Sequence, residues 1–89
     1  MKIDVHFPRV LAPVVGNELH GTIDVGDGGE IRAALEASWP GVGNHLFDSS
    51  GRMRPHVLCF VDDEPHRLDV SARVREGSEI RFVQAVSGG

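Results

Sequence analysis

Apolar and polar positions alternate from the start of the chain. Ile3, Val5 and Phe7 fall on one side and Lys2, Asp4 and His6 on the other, the mark of a strand with one buried face. Pro8 weakens that strand, and Pro13, Gly16 and Asn17 supply turn chemistry. A second alternation runs over Leu19 to Val25, with Leu19, Gly21, Ile23 and Val25 against His20, Thr22 and Asp24, so the first two strands are predicted to pair as a hairpin. The period then changes. Asp27 followed by Glu30 reads as a capping box; Ile31, Ala34, Leu35 and Ser38 recur at helical spacing, leaving Arg32, Ala33, Glu36 and Ala37 outward. Pro40-Gly41 stops this helix, with Trp39 as an apolar anchor just before it.

From Gly41 to Pro55 the pattern is that of a long loop tethered by Leu46 and Phe47, with room for a short helix around Asn44 to Asp48. His56 to Asp62 is the clearest strand. Val57, Cys59 and Val61 share one face and Leu58 and Phe60 the other, so both faces are apolar: the strand is either covered on both sides or has a docking face. Asp62-Asp63-Glu64-Pro65 reads as a turn, Leu68 and Val70 as a short strand, and Glu76-Gly77-Ser78 as a tight turn. Ile80, Phe82 and Gln84 then alternate with Arg81, Val83 and Ala85 in a last strand. Strand, strand, helix, long loop, strand, short strand, strand is the order of an α+β domain, a mixed sheet of four to five strands with one main helix on one face.

Composition narrows the function. At 89 residues, with 40% apolar and 25% charged side chains, the chain fits one globular domain with room for one core and none for a separate catalytic unit. The formal charge of −4 speaks against nucleic acid as a partner. All of that charge lies in residues 1 to 48; the rest balances six acids with six arginines, Arg52, Arg54, Arg67, Arg73, Arg75 and Arg81. The single cysteine, Cys59, excludes an internal disulfide and a cysteine-based zinc site, and it reads as a small core residue. His6, His20, His45, His56 and His66 lack metal-ligand spacing and read as surface residues, and Asp62-Asp63-Glu64 reads as a solvated turn, so no metal is expected. With no apolar run long enough to span a bilayer and an acid at position 4, a cytoplasmic protein without a membrane role is expected.

The chain closes on Val86-Ser87-Gly88-Gly89, directly after the last strand. A Gly-Gly end is open to two readings: a frayed terminus, or a tail slim enough to thread a channel that no side chain would pass. The surrounding motifs bear on the choice. Trp39-Pro40-Gly41, Phe47-Asp48 with Gly51-Arg52-Met53-Arg54-Pro55, the strand HVLCFV over 56–61, and Arg75-Glu76-Gly77-Ser78-Glu79-Ile80 together resemble the β-grasp, ubiquitin-like sulfur carriers. That family includes the small subunit of molybdopterin synthase, the thiamine-pathway carrier, and relatives serving cysteine and secondary-metabolite biosynthesis. The first half is less similar: Phe7-Pro8-Arg9-Val10-Leu11 stands where members often carry a Leu-Arg pair, and Gly28-Gly29 where many place a Thr or Ser cap.

The resemblance implies a β-grasp domain over 1–85 and a reactive tail over 86–89. It implies a protein co-substrate rather than an enzyme, with no bound cofactor. An adenylating enzyme of the ubiquitin-activating type would use ATP to activate the Gly89 carboxylate for conversion to a thiocarboxylate, and a synthase would accept the sulfur. Gly88, Ser87 and Val86 would thread the partner's channel, and Leu58, Phe60, Val83 and Arg81 would form the docking face. The competing reading of that face is that Leu46 or Phe47 covers it from the long loop. Two other functions stay open at this point: a protein modifier conjugated through Gly89, and a non-conjugating binding module.

Overall fold

The computed structural model describes residues 1–26, 31–65 and 76–84. β1 (Lys2–His6) and β2 (His20–Asp24) pair antiparallel, Ile3 opposite Ile23 and His6 opposite His20, as the two alternating runs predict. Their connection is no simple turn. Pro8 lacks an N–H and sets an extended backbone, after which a 3-10 turn (Arg9–Leu11) and a one-turn helix α1 (Ala12–Val15) carry Leu11 into the core. Pro13 sits in the first turn of α1, where its missing donor costs nothing, and so helps start a helix.

α2 (Ile31–Ser38) buries Ile31 and Leu35, whereas Ser38, expected inward, is exposed because the helix ends there. The proposed capping box lies outside the described residues. Gly41 adopts the left-handed conformation (φ 94°) that a Cβ would disfavour, and it turns the chain into α3 (Val42–Leu46). This short helix begins two residues earlier than the sequence indicated and buries Val42 and Leu46. The rest of the supposed loop is tied back by a bridge between Phe47 and Met53 and by Arg54, whose Nε donates to the Asn44 carbonyl (2.8 Å).

β3 (Val57–Val61) and β5 (Glu79–Gln84) run antiparallel, and β5 lies parallel to β1. Glu64–Pro65, expected to be turn, forms the short strand β4. Asp62 and Asp63 take the two positive φ values (51° and 70°) of a tight two-residue hairpin loop, returning Glu64 opposite Val61 and Pro65 opposite Phe60. The expected strand at Leu68 and Val70 lies outside the described residues. Among those described, the mixed sheet has the order β2-β1-β5-β3-β4.

One core fills the space between this sheet and the helices. Ile3, Val5, Ile23, Val57, Cys59, Ile80 and Phe82 from the strands, with Val25 just after β2, meet Ile31, Leu35, Val42, Leu46 and Phe47. Each large aliphatic or aromatic side chain so removed from water contributes roughly 1.5–3 kcal/mol. Phe7 stands edge-on to Trp39 (4.7 Å between ring centres) and stacks on Phe82 (5.9 Å), binding the end of β1 to the end of α2 and to β5.

Candidate functional site on the outer sheet face

Because side chains alternate along a strand, the residues left over by the core share the opposite face. Register then brings the four predicted docking residues together: Leu58 pairs with Val83 and Phe60 with Arg81 across β3 and β5. Leu58 is 47% exposed, unusual for a large aliphatic side chain, and Arg81 is exposed, while Phe60 and Val83 are half-buried. Leu46 and Phe47, the alternative cover for this face, are buried in the core on the other side of the sheet. The patch is therefore not capped by them.

The same face continues across β1 and β2 in polar form. The rings of His6 and His20 stack 4.4 Å apart. Glu79 lies between two cationic or potentially cationic groups: its Oε2 is 3.3 Å from His6 Nε2 and its Oε1 accepts from Arg81 Nη2 at 3.3 Å. Asp4, next along β1 on this face, accepts from the Thr22 hydroxyl (3.1 Å). Sequence reasoning placed His6 and His20 outward as separate surface residues and missed their association with each other and with Glu79. Strand alternation carried the first fact; only strand pairing carries the second.

Where β1 leaves the sheet at Pro8, β5 runs on alone on that side, and a cleft of about 390 Å³ opens, lined by His6, Phe7, Pro8, Arg81, Phe82 and Val83. It borders the apolar patch through Val83. It also lies beside the last described residues of β5, after which the chain leads to Val86, Ser87, Gly88 and Gly89. Those four tail residues lie outside the described structure.

The remaining candidates are structural. Cys59 is buried, and desolvation pushes its thiol up to about 12, which removes it as a nucleophile near neutral pH. Glu36 reaches past the end of α2 to accept from the N–H groups of Gly41 (2.8 Å) and Gly43 (2.9 Å), and these bonds, with Arg32 nearby, hold its carboxyl below the ordinary value. Asp48 is lowered likewise, first by the Ser50 hydroxyl (2.6 Å) and then by the Arg52 N–H (3.0 Å), which closes the loop before β3. Among the described residues no group of three His, Cys, Asp or Glu side chains is placed to hold a metal ion, and no helix is long and apolar enough to cross a membrane.

A mixed sheet with parallel β1 and β5 at its centre, grasping helices on one face, is the β-grasp architecture of ubiquitin-like proteins. Solved structures share it throughout the chain. SAMP1 from Haloferax volcanii superposes with a TM-score of 0.79, covering 100% of both chains at 21% identity. CysO from Mycobacterium tuberculosis gives 0.73 over 94% of this chain and 99% of its own at 23% identity. A chain of the Amycolatopsis orientalis BexX/CysO complex gives 0.74 over 98% and 99% at 19% identity. In sequence, the chain is 27% identical over 93 aligned positions to the sulfur carrier protein CysO of M. tuberculosis, and the alignment spans 100% of both proteins. The homology to a ubiquitin-like sulfur carrier expected from the motifs is therefore present from end to end. No family model matches the chain.

Proposed function

We propose that this protein is a sulfur carrier, a non-catalytic protein co-substrate whose Gly89 carboxylate is activated by an adenylating enzyme and converted to a thiocarboxylate. The observation that carries this reading is the end-to-end similarity to the sulfur carrier CysO. It is supported by a strand, β5, that ends shortly before Gly88-Gly89, and by the partly exposed apolar patch that β5 shares with β3.

The chemistry follows from the poor electrophilicity of a carboxylate. Attack of a Gly89 oxygen on the α-phosphorus of ATP expels pyrophosphate and leaves an acyl-adenylate, whose AMP is a good leaving group. Sulfide displaces AMP at the carbonyl carbon to give the thiocarboxylate directly; a persulfide instead gives an acyl disulfide, whose S–S bond a thiol of the partner enzyme then cleaves, releasing the thiocarboxylate and leaving a disulfide on the partner. A synthase accepts the thiocarboxylate as sulfur source. The carrier needs no acid, base, metal or bound cofactor for this; ATP is bound by the partner. Its own contributions are a slim tail, Val86 to Gly89, reaching about 3.3–3.6 Å per residue when extended, and the docking patch Leu58, Phe60, Val83 and Arg81. A cytoplasmic site of action fits these partners. Cysteine biosynthesis is the pathway class that the relation to CysO favours.

Intact-mass analysis of the protein from its host tests the proposal. A fraction heavier by one oxygen-to-sulfur exchange, localised to Gly89 and absent after Gly89 deletion, is expected. A uniformly unmodified terminus, with no response to ATP and an adenylating enzyme, overturns it; attachment of the chain to lysines of other proteins points instead to a modifier.

A further inference from the structure

The cleft between the end of β1 and β5 is lined by the apolar residues Phe7, Pro8 and Phe82 together with the nitrogen-bearing side chains of His6 and Arg81. The carboxylate of Glu79 already shows what those two side chains attract, since it contacts both His6 Nε2 and Arg81 Nη2 at 3.3 Å. Glu79 is half-buried, and among the described residues it is the one carboxylate on Arg81. A guanidinium fork retains donors for a second carboxylate after such a single contact. Val83 belongs to both the cleft and the patch of Leu58, Phe60 and Val83, so a partner seated on that patch lies at the mouth of the cleft.

We propose that the cleft receives a carboxylate side chain from the adenylating partner, its methylenes on Phe7 and Pro8 and its charge against Arg81 and His6. This rests on the sulfur-carrier reading above. Glu79 is then an internal competitor: it pre-orients Arg81 in the free protein and must share it on docking. Two neighbouring substitutions consequently act in opposite directions. Arg81→Glu repels the incoming carboxylate, whereas Glu79→Gln, nearly isosteric, leaves Arg81 and His6 free for it. An apolar occupant would make the first change mild and the second neutral, and a purely structural ion pair would make both harmful.

The test is adenylate-dependent ATP–pyrophosphate exchange by the host's adenylating enzyme, with the full chain as the varied substrate. The expected result is a KM for the carrier raised about 10-fold or more by Arg81→Glu and lowered about 3-fold by Glu79→Gln, with both differences shrinking at high salt. The decrease is diagnostic, because a misfolded variant does not bind better. An unchanged or raised KM for Glu79→Gln overturns the inference while leaving the carrier reading intact. Absence of exchange with the unaltered chain overturns the carrier reading, and this inference with it.

Discussion

Gly21 shows how one residue without a side chain couples two elements. A Cβ at this position of β2 would lie 2.5 Å from Cζ2 and 3.0 Å from Cη2 of Trp39, whose indole is already held edge-on by Phe7. In a strand, Ala is intrinsically better than Gly by roughly 0.5–1 kcal/mol, but forcing an indole out of a packed site costs about 1–3 kcal/mol. Packing should win. Gly21→Ala is expected to lower the unfolding free energy by about 1–2 kcal/mol in urea titration, and the loss should vanish in a Trp39→Leu background; an equal loss in both backgrounds would exclude the clash as its cause. The inward side of β2 could be read from alternation, including Gly21 and Ile23. That Trp39 is what Gly21 makes room for could not, since 17 residues and a helix intervene.

At the scale of elements, α2 and α3 are joined by a side chain more than by their connecting turn. Glu36 satisfies the Gly41 and Gly43 N–H groups, donors that a helix start leaves without intrahelical partners. Those bonds favour the ionised form and hold the carboxyl below the ordinary value of 4.5. A lowered folded-state value means that the unfolded chain takes up the proton first as pH falls. The stabilisation is therefore complete above the ordinary carboxylate range and is lost as the pH drops through the lowered value. Glu36→Gln should destabilise the protein at neutral pH, with the difference in urea midpoint narrowing on acidification; a difference independent of pH would show that the charge plays no part. The sequence assigned Glu36 to the solvent side correctly and read the stretch after Gly41 as loop. Its reach of five and seven residues to Gly41 and Gly43 left no periodic signal, whereas the helix and strands did.

The whole molecule is a sheet with two unlike faces, one sealed by helices and one carrying an apolar patch that Leu46 and Phe47 leave uncovered. Phe60 sits on the second, opposite Arg81 and away from the core cluster. Phe60→Asp should therefore change unfolding free energy by no more than about 1–2 kcal/mol while abolishing activation by the adenylating enzyme. A circular dichroism melt and the exchange assay report the two quantities separately, and normal activation of a folded Phe60→Asp protein would remove the docking role. The sequence by itself determined the four longer strands β1, β2, β3 and β5, the main helix, the inward set from Ile3 to Phe82 and the outward set that includes Leu58, Phe60 and Arg81, because alternation and helical spacing are local properties of a backbone with fixed periods. It also determined the likeness to sulfur carriers, carried by short motifs around Trp39, Gly51 and Gly77. Only the tertiary structure decided that Pro13 starts a helix and Pro65 lies in a strand, that His6, His20, Glu79 and Arg81 share one patch, and that a cleft opens where β1 leaves β5. Those are facts of register and of which strands become neighbours. They depend on contacts between residues as distant as His6 and Arg81, which no local pattern in the chain encodes.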